Sequence, residues 1–524
     1  MKRSLITAVA LAALMTAVPA LAASHGKQQP AAPASSVRPV QSVTQGSVTV
    51  EGQRVNYDAT AGTIILKNKQ GQPTASMFYV AYVKSGVKDP TTRPITFLYN
   101  GGPGSSTVWL HMGAFGPERV TTADHTHTPP APYKLVNNDY SLLDVSDLVF
   151  IDAPSTGFSR IIGKREGGAG TPKAFYSVDN DAHAFAQFIT RYLTENGRWN
   201  SPKYLFGESY GTTRSAVLAR YLEMEDDVDL NGVILLSQVL SYDISNADDP
   251  QHNPGMDMTY ELALPTYAAT AYYHHKLPQQ PKDFQGFLQQ VEHFAMHDYA
   301  DALNAGTTLS DAQKKQIAAQ LYQYTGLSAD YWVKADLRVN GGEFEHQLLN
   351  PDDTTGRLDT RFTGPTMDPL SQESEYDPQA AAISSAYVAL FNDYVRRTLD
   401  FKTDLQYRPE YYDNVLANWD YLHSPPGTDS ELDQATNVMP DLAAAMKYNP
   451  DLKVMLNAGY FDLATPFYAA VFIMQHLPIP QALVKNISYE YYQSGHMVYV
   501  HVPSLKRLHD NVAAFIQSTY KGQQ

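Results

Sequence analysis

The chain has 524 residues, 43% of them hydrophobic, with a formal net charge of −15 and no cysteine. That much apolar material builds a sizeable core and excludes a disordered or fibrous polymer, while length alone suggests two to four domains of ordinary size. The acidic balance disfavours nucleic acid and anionic membranes as partners, and the absence of thiols excludes disulfide staples and cysteine catalysis.

The first residues, MKRSLITAVALAALMTAVPALAAS, place Lys2 and Arg3 before a short apolar run, then Pro19 and the small residues Ala20 to Ala22. This is the order of a secretory signal spanning residues 1–22, with cleavage expected after Ala22. No later segment stays apolar and uncharged over the length of a membrane span, so the mature chain is expected to be exported, periplasmic or secreted, and free of the membrane. Residues 23–47, rich in Pro, Gln, Ala and Ser, read as a flexible leader. From residue 48 the pattern becomes strand-like. TIILKN and SMFYVAYV resemble a hairpin, and ITFLYN, DLVFID, KYLF and GVILLS are short apolar runs that end at turn formers. Helical stretches lie between them, such as SVDNDAHAFAQFITRYLTEN and TTRSAVLARYLEME. Strands alternating with helices predict an α/β fold with a mainly parallel sheet covered on both faces. Residues 245–445 show helical periods and many tyrosines and prolines, and strand patterns return in DLKVMLNAGYFD and NISYEYYQSGH. The expected organisation is one α/β core, residues 48–244 and 446–524, interrupted by a large, mostly helical cap insertion, 245–445.

Within the core, GESYG at residues 207–211 fits G-x-S-x-G, in which a serine sits on a tight strand-to-helix turn. KYLF and TTRSAVLARYLEM supply the strand before and the helix after, and the small Gly207 and Gly211 allow the two to approach closely. A serine hydroxyl needs a base, and the base needs an acid to hold its tautomer. In this architecture the acid comes next in the chain and the histidine last. Asp462 and His496, each just beyond a predicted strand, meet that order behind Ser209. An oxyanion formed during acyl transfer needs donors placed beforehand. The amide of Tyr210 is one candidate, and the glycine-rich loop YNGGPGSS offers the other at Gly102.

YNGGPGSS, LVFIDAPSTGFSR, FGESYG, AGYFDLATP and SGHMV resemble, in order, the successive blocks of the serine carboxypeptidase family, over about residues 75–245 and 445–505. The resemblance implies an α/β-hydrolase fold and release of C-terminal residues from peptides with a free C-terminus, with no metal or other cofactor. It implies Ser209 as nucleophile, His496 as base, Asp462 as its orienter, and the Gly102 and Tyr210 amides as the oxyanion hole. It also implies that Asn100 and Glu208 bind the substrate's terminal carboxylate. A protonated Glu208 can donate to that carboxylate, whereas an ionised one repels it. The chain departs from the family pattern at Tyr99, Ser105, Gly211, Tyr460 and Tyr499, and no departure removes a member of the catalytic set.

Neutral His496 and protonated Glu208 barely coexist at the ordinary values of ~6.5 and ~4.3. The expectation is therefore that Glu208 moves up, His496 moves down, or both, and that peptide cleavage favours acidic pH. An esterase or acyltransferase on the same scaffold, or an exported peptide-binding protein without activity, would share much of this sequence. Elsewhere, His125 and His127 read as solvated loop residues, His274 and His275 as surface residues, and Asn486 in NIS fits a glycosylation acceptor within an apparent strand.

Overall fold

The computed structural model describes residues 37–521 except 246–253 and 429. The expected signal, residues 1–22, and leader residues 23–36 lie outside the described residues. Among the described residues, nine strands form the body of the main sheet: β1 (Gln41–Val50), β2 (Gln53–Lys67), β3 (Pro73–Lys84), β4 (Ile95–Tyr99), β5 (Asp147–Ile151), β6 (Lys203–Glu208), β7 (Gly232–Leu236), β8 (Lys453–Gly459) and β9 (Ile487–Tyr492). Their spatial order is β1-β2-β3-β5-β4-β6-β7-β8-β9, and a short tenth strand, Arg160–Ile161, pairs with β3. The hairpin β2–β3 and its neighbours are antiparallel, whereas every pairing from β5 to β9 is parallel.

Strands β4, β5, β6 and β7 are buried from end to end, as parallel strands covered on both faces must be. Successive side chains alternate between two cores. On one face, Phe97, Val149, Leu205 and Leu235 pack with helix α1 (Val178–Glu195) through Phe185 and Phe188 and with α2 (Tyr210–Met224) through Val217 and Leu218. On the other, Leu98, Phe150, Phe206 and Leu236 join the C-terminal helix Val502–Lys521 through Leu505, Leu508 and Val512. Each fully buried Leu or Phe contributes roughly 1.5–3 kcal/mol, so the two cores hold the strand ends in fixed register.

Two expected boundaries are corrected. Residues 41–47 are not leader, because all ten residues of β1 are registered against β2, from Gln41↔Gly62 to Val50↔Gln53. Only Val48 and Val50 of β1 are buried apolar residues, while Val43 is 57% exposed, so backbone pairing rather than apolar content makes the strand. At the other junction, the helix Met439–Tyr448 straddles residue 445, and its Leu442, Ala445 and Met446 join the core face that carries α2. The core therefore resumes before residue 446.

The insertion itself has two parts. Helix α3 (Met258–Tyr273) and the helices after it gather around Tyr267, Phe294, Trp332 and Phe344. Helix α4 (Pro378–Arg397) instead packs Ile383, Tyr387 and Phe391 into the core face that holds Leu98 and Phe206. Among the described residues, no helix is long and apolar enough to cross a membrane.

Candidate active site

Ser209 joins β6 to α2 with φ 59° and ψ −131°, a conformation that costs a residue with a side chain free energy. It is held by its N–H, which donates to Leu236 O on β7 at 3.0 Å, and by its carbonyl, which accepts from Thr212 N and Oγ1, both at 2.7 Å. The surrounding glycines make this turn possible. A Cβ on Gly207 would lie 2.2 Å from Gly211 O, and one on Gly101 only 2.4 Å from Tyr210 N. The loop after β4 thus rests directly on the turn, and Gly102, Ser209 and Tyr210 border one cleft of about 440 Å³.

Asp462 and His496 follow β8 and β9 and are 1% and 5% exposed. His496 Nδ1 lies 2.9 Å from Asp462 Oδ2. Thr465 completes the aspartate's shell, donating from its N–H to Oδ1 at 2.9 Å and from its hydroxyl to Oδ2 at 2.7 Å. An ionised aspartate only accepts, so this contact places the ring proton on Nδ1 and leaves Nε2 of the neutral imidazole as a base. His496 shares the cleft with Ser209.

Asn100 and Glu208 line the same cleft and are each 3% exposed. Asn100 Oδ1 accepts from the Leu110 N–H at 3.2 Å, which assigns the oxygen inward and leaves the side-chain amide as the donor toward the cleft. Among the described residues, Glu208 Oε2 has no hydrogen-bond partner. Burial pushes this carboxyl up to about 7, against the opposing effects of His496, Tyr499 and Asn100. The Tyr499 hydroxyl is close enough to Glu208 to act on it. For His496, burial lowers the pKa, but Asp462 and Glu208 outweigh it and hold the ring above its ordinary value. The expected upward shift of Glu208 is present, whereas the alternative downward shift of His496 is reversed by the two neighbouring carboxylates.

All seven candidates thus converge: six border the cleft, and Asp462 reaches it through His496. Three supports are not read from motifs. Arg214 on α2 is fully buried, bonded to Asp181 on α1 through Nε at 2.6 Å and to the Asn100 carbonyl through Nη1 at 2.8 Å. Its guanidinium lies 5.3 Å from the Tyr210 ring centre, so one ion pair braces the Asn100 backbone and the Tyr210 side chain. The sequence carries no signal for this role beyond an arginine within a helical pattern. Thr465 is the second support. The third is the insertion, which brings Arg357, Leu358, Ile383, Glu410 and Tyr412 to the cleft.

Some remaining readings change. His125 is exposed as expected but has an acidic companion, Asp124, 3.7 Å from its Nδ1. His274 is not a free surface residue, because its Nε2 donates to the Thr360 carbonyl at 2.6 Å. Asn486 precedes β9 and is 4% exposed, with its side chain bonded to Lys453 and Pro450, so its amide is not available as an acceptor for sugar.

A mostly parallel sheet with a serine on the strand-to-helix turn after β6, and an acid and a histidine after β8 and β9, is the arrangement of an α/β-hydrolase. In agreement, the crystal structure of Kex1(delta)p, a prohormone-processing carboxypeptidase from Saccharomyces cerevisiae, superposes with a TM-score of 0.54 at 15% identity, over 88% of this chain and 92% of that one. The family model described as serine carboxypeptidase matches residues 51–508, and the chain belongs to that family. Serine carboxypeptidase-like 36 of Arabidopsis thaliana is 24% identical over 182 residues, which are 33% of this chain and 34% of that protein. The match therefore spans about a third of the length of that curated relative.

Proposed function

We propose that the protein is an exported serine carboxypeptidase that releases C-terminal residues from peptides through an acyl-enzyme. Ser209 Oγ attacks the carbonyl carbon of the last peptide bond while His496 Nε2 takes its proton. Asp462 holds the resulting imidazolium, and the amides of Gly102 and Tyr210 receive the negative oxygen. His496 then gives its proton to the departing amine. A water activated by the same base attacks the ester and frees Ser209.

The observation that carries the peptide assignment is the buried, unpartnered Glu208 oxygen beside the Asn100 amide, in the cleft that holds Ser209 and His496. Protonated Glu208 and Asn100 Nδ2 together offer two donors to a terminal carboxylate. Glu208 and His496 must then share one proton between them, with the glutamate holding it and the ring free. Below this window His496 is charged and cannot act as base. Above it Glu208, with its carboxyl at about 7, ionises and repels the substrate. Peptide cleavage therefore follows a bell-shaped pH curve with its optimum on the acidic side of ester cleavage, which needs only the neutral ring. Export rests on the N-terminal sequence, with residues 1–22 removed, leaving a core interrupted by a cap.

The test is the pH profile of blocked dipeptides and matching esters with wild type and Glu208→Gln. The amide keeps a donor at every pH, so the alkaline limb for peptides should disappear. One pH unit above the glutamate's pKa, wild type should retain only about a tenth of its plateau while the variant retains most of it. Identical changes for peptide and ester would refute the role.

A further inference from the structure

Residues 357–361 of the insertion make contacts that no cleft-lining role requires. The N–H of Leu463, directly after Asp462, donates to Arg357 O at 3.0 Å, and Thr360 N donates to the carbonyl of Phe461, directly before Asp462, at 2.9 Å. The His496 N–H donates to Leu358 O at 2.6 Å, and the N–H of Gly495 to Asp359 Oδ2 at 3.1 Å. One five-residue strap thus bonds to the residues on both sides of the aspartate and to the histidine and its predecessor. Packing agrees with the hydrogen bonds: a Cβ on Gly495 would lie 2.3 Å from Leu358 O and 2.5 Å from Asp359 Cα. The glycine before His496 is therefore the seat of the strap.

The strap is itself locked. Asp359 and Arg361 are buried and paired, with Nη2 2.6 Å from Oδ2, and Arg361 Nη1 reaches Asp124 at 3.2 Å. Leu358 N donates to Asp377 Oδ2, at the N-terminus of α4, at 2.7 Å. The hydroxyls of Thr360 and of Thr270 on α3 are 2.6 Å apart. The strap thus ties both parts of the insertion to the loops of Asp462 and His496.

We infer that this strap sets the Asp462–His496 geometry, with Asp359 as the positioning residue: the insertion completes the catalytic apparatus as well as covering it. The inference rests on the proposed hydrolase reading. A loop at a strand end is held on one side by its strand; the strap holds these two from the other, so loosening it at Asp359 or Thr360, neither of which borders the cleft, lengthens the His496–Asp462 contact. A misplacement of about 1 Å in such a constellation costs up to about a hundredfold in rate.

The test uses the full-length mature protein, with active sites counted by a fluorophosphonate probe and ester hydrolysis followed across pH. Asp359→Asn should lower kcat per counted site by tenfold or more, on the order expected for such a displacement, with KM nearly unchanged. As Asp462 releases His496, the acidic limb should move to lower pH. Thr360→Val changes no charge and keeps the Asp359–Arg361 pair. It should give the same shift with a smaller loss, about fivefold, and it decides the matter if Asp359→Asn does not fold. Unchanged kcat per site and an unchanged acidic limb in the folded variants, whatever their melting temperature, would overturn the strap's role. A wild type that neither takes the probe nor cleaves an ester would instead overturn the hydrolase reading on which it rests.

Discussion

The two parts of the insertion, residues 258–348 and 357–437, have different duties. The first gathers its own apolar cluster around Tyr267, Phe294, Trp332 and Phe344, and meets the core chiefly through Ala458, Tyr460, Phe461 and Phe467 beside β8. Among the described residues, the second has no such cluster of its own. It threads back across the core, giving Ile383 and Tyr387 to one face and Arg357, Glu410 and Tyr412 to the cleft. Its last stretch is pinned by His423, whose two nitrogens lie 2.8 Å from Asp179 on α1 and 2.7 Å from Asp441. A segment with its own core can change without disturbing chemistry. A segment that packs into the core of the sheet and lines the cleft is expected not to.

That contrast can be tested from its most drastic consequence downward. In the core site, Ser209→Ala should lower turnover by about 10⁴-fold or more and abolish the acyl-enzyme, with stability nearly unchanged because alanine keeps the Cβ and the same strained backbone. Mass spectrometry of the labelled protein checks this. Asp462→Asn should cost on the order of 10³- to 10⁴-fold in kcat, since an amide facing His496 favours the wrong tautomer; steady-state ester kinetics measure it. In the first part of the insertion, Trp332→Ala removes a fully buried ring and its hydrogen bond to Thr325. The expected loss is about 3–5 kcal/mol of stability by denaturant unfolding, with ester kcat per counted site unchanged. A large fall in kcat would erase the distinction between the two parts.

The smallest effect concerns the second part of the insertion and depends on pH. Burial lowers the His423 pKa, but Asp179 and Asp441 outweigh it and raise it to about 9. A histidine raised in the folded state contributes stability that is fully present below its unfolded value of ~6.5 and is lost as pH rises through about 9. His423→Gln should therefore lower the melting temperature clearly at pH 6, by on the order of 2 kcal/mol in stability, and hardly at all at pH 9.5. An equal loss at both values would show that the contact is not ionic.

Much of the site was legible because its residues lie in short blocks whose local chemistry is itself distinctive. G-E-S-Y-G names its own turn, since only glycine at 207 and 211 fits where a Cβ would meet carbonyl oxygens at 2.2 and 2.9 Å. The strands of the central sheet were legible from apolar runs bounded by turn formers. Strand β1 was not, because an edge strand with one covered side needs few apolar residues, and QSVTQGSVTV looks like linker. Arg214 and the strap were also hidden. An arginine within a helix and a run such as RLDTR carry no sign of what they will touch.

The order of Ser209, Asp462 and His496, the identity of the groups facing the cleft and the alternation that makes a parallel sheet were determined by the sequence alone, since each depends on residue type and near neighbours along the chain. The pKa of Glu208, the direction of the shift at His496 and the part of the insertion that braces Asp462 were decided by tertiary structure. Burial and electrostatic fields are sums over atoms distant in sequence, and here they come from strands, loops and an insertion separated by hundreds of residues.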